Sequence, residues 1–241
     1  MIIIPARLAS NRFPGKLLYS IQGQSVLAHT WSRCKASALA DQVLIASEDD
    51  EILELAKNFG GNIYKSASNH ICGTDRCGEV IEEFPDYEFI INVQADEMLV
   101  EPRDIDRCIE DLNTLDSPGI ASLYSPGVRS IELQNINKVK VILRPDGTAK
   151  DFRRNPRELV HGIHMGIYTF HRKTLKELCE LSPSIRENQE HLEQLRWIDH
   201  DYKIRMLASS APSISINTPM DLQEASKLLA EVGEKNISHT W

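Results

Sequence analysis

Short apolar runs alternate with longer stretches in which apolar residues recur every three to four positions, and this rhythm persists through the first half of the chain. Residues 2–4 read as a short buried strand and 26–34 as a helix. Residues 42–47 predict a second buried strand. The segment 51–59 predicts a helix with Ile52, Leu53, Ala56 and Phe59 on one face, stopped by Gly60-Gly61. A third strand is expected at 62–66, then a helix at about 75–83 with Thr74 as its N-cap and Asp75 in its first turn. Residues 88–94 form a strong apolar strand, and Ile105, Ile109 and Leu112 mark another helical face. Strands spaced by helical crossovers imply parallel pairing, hence a layered α/β domain.

The rhythm changes after Tyr124. Residues 138–143 alternate polar and apolar, Arg144-Pro145-Asp146-Gly147 is a turn signal, and 148–154 follow as a second hairpin strand. The reading is a single domain over 1–241 with an exposed antiparallel excursion at about 138–156, of the kind that forms an arm or a subunit contact. A buried strand is expected at 164–170, helices at 172–179 and 189–197, and a strand near 204–207. Thr218 is a good N-cap, Pro219 suits the first helical position, and Asp221 favours the positive helix end. The sequence holds no internal repeat, low-complexity tract or long linker.

Charge narrows the class of partner. With 35 acidic against 27 basic residues and a formal net charge of −8, a nucleic-acid coat or an anionic membrane surface is disfavoured. The five cysteines are odd in number and form no C-x-x-C pair, which points to a reducing compartment. The N-terminus has no basic n-region, and no apolar run approaches the roughly 20 residues of a membrane helix. A cytoplasmic location is expected.

Against that acidic body, one loop is basic. The stretch IPARLASNRFPGK at 4–16 carries Arg7, Arg12 and Lys16 directly after the first strand, where open α/β sheets bind ligands. Pro14-Gly15 permits a sharp turn, and Ala6, Ala9 and Ser10 allow main-chain N–H groups to approach an anion. The arginines fork onto phosphate oxygens and Lys16 adds a point charge. Neither G-x-x-x-x-G-K-[ST] nor G-x-G-x-x-G is present. The alternative is a surface loop of solvated cations. A second feature is NVQADE at 92–97, where two carboxylates close a strong strand, as holding Mg²⁺ against a nucleotide requires; an acidic strand end without a ligand is the plain alternative. In HICGTDR at 70–76, Arg76 opposes the helix dipole, which hints at an outside anion or a base edge as its partner.

Taken in order, these stretches resemble the 3-deoxy-manno-octulosonate cytidylyltransferase (CMP-Kdo synthetase) family over essentially the whole chain. The family's IPAR-x-x-S-x-R-x-PGK is matched at 4–16, S-G-T-[DE]-R at 72–76 and N-x-Q-G-D-E-P at 92–98. H-x-G-I-Y is matched at 164–168, LEQLR at 192–196 and V-D-T-P-x-D-L at 216–222. The resemblance implies a Rossmann-like nucleotidyltransferase fold with a mostly parallel central sheet, a small antiparallel dimerisation excursion, and a homodimer. It implies transfer of CMP from CTP to an eight-carbon acidic sugar with release of pyrophosphate, Mg²⁺ as cofactor, and a place in lipopolysaccharide biosynthesis. Arg7, Lys16 and Asp96 would be catalytic. Ala6, Arg7, Arg12, Lys16, Gly73, Thr74 and Arg76 would bind the nucleotide, and Gln94, Arg154, His164, Glu193 and Gln194 the sugar. Asp96 would hold the metal, with Asn217 as a second ligand through its amide oxygen, which brings no charge.

The departures fall mostly near metal and sugar. Asn217 stands where the family has a second metal carboxylate, Ala95 replaces Gly, Met98 replaces Pro, Arg153 replaces a small hydroxyl residue, and Cys72 replaces Ser. The expectation is a retained nucleotide half with an altered acceptor half, taking either Kdo or its 8-amino derivative. Two other readings stay open: a catalytically impaired CTP-binding regulatory protein, and a cytidylyltransferase for another 2-keto-sugar acid.

Overall fold

Three consecutive isoleucines are wholly buried because β1 (Ile2–Pro5) runs through the interior of the sheet. Ile2 and Ile4 enter one core and Ile3 the other, the two-residue period of a strand covered on both faces. Each such side chain contributes about 1.5–3 kcal/mol of burial. The computed structural model describes all residues except 11, 69, 115–118, 158, 211–213 and 238–241, with the backbone alone along 231–237.

After β1 and a 3₁₀ turn at Lys16–Leu18 come the ribbon β2 (Ser20–Ile21) and β3 (Gln24–Ser25), then α1 (Val26–Lys35), β4 (Val43–Ser47) and α2 (Asp50–Asn58). They are followed by β5 (Asn62–Lys65), α3 (Gly73–Glu83), β6 (Phe89–Val93) and α4 (Pro102–Asn113). The second half holds β7 (Ile120–Pro126), α5 (Ser130–Gln134), β8 (Lys140–Leu143), β9 (Ala149–Arg153) and β10 (Gly162–His171). The chain ends with α6 (Arg172–Glu180), α7 (Ile185–Glu190), α8 (Gln194–Asp199), β11 (Ile204–Ala208) and α9 (Pro219–Ile237). The sheet order is β11-β7-β10-β6-β1-β4-β5, with β8 on β10 and β9 on β8. Pairs β1–β4, β1–β6, β4–β5 and β7–β11 are parallel, as the crossover spacing requires. β10 runs antiparallel between β6 and β7. Helices α1, α2, α4 and α9 cover one face; α3, α6 and α8 cover the other.

Local signals decide several boundaries as expected. Gly60 takes φ +83° after α2, and Gly61 N–H closes on Ala56 O at 2.8 Å. Thr218 and Asp221 cap α9 reciprocally: Asp221 N–H donates to Thr218 Oγ1 at 3.3 Å, and Thr218 N–H to Asp221 Oδ2 at 2.7 Å.

Three expectations are corrected. Helix α3 starts at Gly73 with Cys72 in the N-cap position, so Thr74 is a buried first-turn residue rather than the cap. Gly73 lies against Pro5, and a Cβ there would come 3.0 Å from the proline ring. The helix read at 189–197 is two helices, because His191 turns to φ +55° and ends α7. The hairpin of β8 and β9 is antiparallel as read but not an exposed excursion, since Val141, Ala149 and Phe152 are fully buried with Trp197 of α8.

Candidate functional site

β1 and β6 are parallel neighbours, so the loop after Pro5 and the turn after Val93 open at the same edge of the sheet. β10 passes that edge in the opposite sense, with Gln94 N–H donating to Gly166 O at 2.8 Å. A cleft of about 830 Å³ lies there. It is lined by Ala6, Arg7, Arg12, Lys16, Gly73, Arg76, Gln94, Asp96, Arg154, His164, Glu193, Gln194 and Asn217, which is every residue given a binding, catalytic or metal role from the resemblance save Thr74.

The basic loop is folded back on itself. Gly15 takes φ +66° and its N–H donates to Leu8 O at 3.2 Å. Asp49, at the N-cap position of α2, spends its carboxylate on Leu8 N–H at 2.7 Å and so anchors the loop. Arg7 and Arg12 are exposed. Lys16 ion-pairs with Asp96 and donates to Ile216 O at 2.7 Å. Arg12 forks onto Asn137 Oδ1 at 2.7 Å and Asn217 Oδ1 at 2.6 Å.

One wall is the start of α3. Thr74 faces inward: its Oγ1 accepts from Asn92 Nδ2 at 3.2 Å, and its N–H donates to Glu193 Oε2 at 3.2 Å. Thr74 therefore supports this wall from behind. Glu193 is half-buried, and burial raises its pKa against the donors Cys72 and Thr74. Arg76 has no need of an outside anion as partner. Its guanidinium pairs with Glu48 and donates to Ser66 Oγ, both brought in by neighbouring strand ends. Those contacts give the guanidinium partners within the chain despite the mismatch with the helix dipole.

The opposite end is set by β10 and β9. A Cβ on Gly166 would come within 2.6 Å of Gln94 Cδ, so glycine is what lets the Gln94 side chain lie along the strand. His164 is buried, which lowers its pKa to about 3 and keeps the ring neutral. Ser122 Oγ donates its one hydrogen to Ile167 O at 2.8 Å, so toward His164 Nε2 at 3.1 Å it accepts. This assigns the proton to Nε2 and leaves Nδ1 as the ring's acceptor. Arg154 donates to the carbonyls of Glu190 (2.9 Å), Ile136 (3.3 Å) and His191 (3.4 Å); burial, then the charge of Arg12, lowers its pKa. Gln194 is buried at the start of α8.

The donors suit one hard cation. The ammonium of Lys16 already rests on Asp96 Oδ2 and Ile216 O, two oxygens of the type Mg²⁺ prefers. Among the described residues no group of three His, Cys, Asp or Glu is placed to hold a metal. Asn217 differs from the expectation of a second metal ligand in one respect, because its amide oxygen is engaged by Arg12.

Sequence reasoning missed Asn137 and Lys138, and read Glu97 only as the second of two carboxylates at a strand end. The first two line the cleft beside Arg12 but carry no motif. Glu97 is buried, accepts from Gly166 N–H at 2.8 Å and from Ser215 Oγ, and is pushed up to about 7 by burial and then by the charge of Asp96. Its position beside Asp96 was the available signal.

The family model described as Cytidylyltransferase matches residues 1–205. A 3-deoxy-manno-octulosonate cytidylyltransferase of Geotalea daltonii is 33% identical over 96% of this chain and 98% of its own. One of Nitratiruptor sp. is 37% identical over 93% and 97%. The solved structure of a CMP:2-keto-3-deoxy-manno-octonic acid synthetase complexed with CTP superposes with a TM-score of 0.86 at 30% identity, covering 95% of this chain and 98% of that one. Motif order, sheet topology and full-length similarity thus agree, and the chain belongs to the 3-deoxy-manno-octulosonate cytidylyltransferase family.

Proposed function

We propose that this enzyme transfers CMP from CTP to a 3-deoxy-octulosonic acid, Kdo or its 8-amino derivative, releasing pyrophosphate and serving lipopolysaccharide biosynthesis. The observation that carries this reading is the convergence, in one cleft, of the basic loop and Asp96 with Arg154, His164 and Gln194. A triphosphate and an acidic sugar need that division of labour.

The chemistry is attack of a sugar hydroxyl oxygen on the α-phosphorus, its proton passing to solvent, as the bond to the bridging oxygen of pyrophosphate breaks. Positioning and charge dispersal dominate such a step. Arg7, Arg12 and Lys16 hold the triphosphate and neutralise charge on the departing pyrophosphate, while Ala6 and Gly73 keep the loop and the α3 start close to the nucleotide. Arg76, locked by Glu48, presents a fixed edge to the base and Thr74 steadies the same wall. Arg154 receives the sugar carboxylate. Gln94, His164, Glu193 and Gln194 orient hydroxyls; neutral His164 does so as an acceptor at Nδ1. Asp96 would hold Mg²⁺, with Asn217 beside it. When bound, the ion supplies charge stabilisation to phosphate oxygens.

The test is turnover with CTP, Mg²⁺ and a panel of 2-keto-sugar acids, comparing kcat/KM for Kdo, its 8-amino analogue and a sialic acid. A clear preference for Kdo removes the 8-amino derivative, and preference for the sialic acid removes the octulosonic assignment. The impaired-regulator reading, which Asn217 motivates, requires CTP binding with no pyrophosphate release from any acceptor.

A further inference from the structure

Lys140 of β8 is wholly buried, and its ammonium donates to Asn135 O at 2.6 Å and Arg154 O at 2.8 Å. Removing an ammonium from water is costly, and methionine fills the same volume without that cost. Burial, with the charges of Arg154 and Lys138 behind it, lowers the pKa of Lys140.

What the ammonium holds is the wall of the cleft. Four consecutive residues after α5 are each gripped by a different charged side chain. Lys140 holds Asn135 O, Arg154 holds Ile136 O at 3.3 Å, Arg12 holds Asn137 Oδ1 at 2.7 Å, and Glu132 holds Lys138 Nζ at 2.8 Å. Ile136, Asn137 and Lys138 line the cleft, and so does Arg154, whose own carbonyl is the second acceptor of Lys140. One buried cation therefore ties the main chain of the wall to the main chain of the arginine beside it.

We infer that Lys140 is a positioning residue for the acceptor end of the cleft, pinning the 135–138 wall to Arg154 and so setting where the anionic group of the acceptor is received. The inference rests on the assignment of that end to the sugar acid. Lys140 touches neither substrate; it acts through Arg154 and the wall.

The experiment compares the full-length parent with Lys140→Met, which removes both donors, and Lys140→Gln, which keeps an amide donor. Lys140→Met is expected to raise KM for the acceptor about tenfold while KM for CTP stays within about twofold, with Lys140→Gln between. Hydrogen exchange followed by mass spectrometry, without substrates, is expected to quicken at 135–139 and 154–157 and not at 2–18. That second measurement needs no acceptor. A parent inactive on every octulosonic acid would therefore overturn the functional reading, while exchange still decides the role of Lys140. Equal rises in both KM values, no change in either, or faster exchange spread across 2–18 would overturn the inference.

Discussion

Arg12 and Asn217 stand 205 positions apart in sequence and meet in the cleft, guanidinium Nη2 donating to amide Oδ1 at 2.6 Å. The contact joins the basic loop to the segment that leads into α9. An aspartate in place of Asn217 keeps the geometry and adds a charge beside Asp96. Asn217→Asp is therefore expected to lower the Mg²⁺ concentration for half-maximal turnover by about threefold or more. An unchanged Mg²⁺ dependence would remove Asn217 from the metal's surroundings.

The exposed Arg7 and the Asp96-paired Lys16 test the triphosphate assignment. Arg7→Ala and Lys16→Ala are each expected to cut kcat/KM for CTP about 100-fold, as removal of a charge-stabilising donor does. Melting temperature should stay close to the parent for Arg7→Ala, because that side chain is exposed. Folded variants that turn over CTP at the parent's rate would refute the role of the loop.

Gly166 offers a test confined to the acceptor side. The Cβ of Gly166→Ala would sit 2.6 Å from Gln94 Cδ and 2.8 Å from its Oε1, so the Gln94 side chain must move. Acceptor kcat/KM is expected to fall about tenfold with KM for CTP little changed. Steady-state kinetics with each substrate varied in turn reads both values.

His164 makes a prediction about acid stability. Burial holds its folded pKa at about 3, below the ordinary 6.5, so the folded protein binds fewer protons than the unfolded chain between those values. Its contribution is thus fully present above pH 6.5 and is lost as pH falls toward 3. Urea midpoints across that window should decline less in His164→Asn than in the parent. Parallel curves would show that the ring charges freely in the fold.

The parts of the site that were legible lie within single motifs. The basic loop and the carboxylates just after β6 are short and are read from residue type and spacing, whereas the LEQLR stretch is read only through the family resemblance. Arg76 shows where that method stops. Its dipole mismatch was real, but the partner is Glu48, 28 residues earlier, which the pairing of β4 with β5 brings alongside Ser66. Thr74 likewise reads as a cap until its inward bonds to Asn92 and Glu193, both distant in sequence, are known. The hairpin shows the same limit: alternation at 138–143 identifies a strand with two unlike faces without saying whether solvent or Trp197 lies over the second.

By itself, the sequence determined the alternation of strands and helices, the parallel sense of strands joined by crossovers, and the capping of α9, because each depends on residues close together along the chain; the family follows from the order of six motifs along it. Only the tertiary structure decided that β10 runs antiparallel beside β6, that Arg12 reaches Asn137 and Asn217, and that Lys140 is a buried cation bound to two carbonyls. Periodicity tells which face of an element avoids water; it carries no information about which distant segment supplies the covering surface or the hydrogen-bond partner.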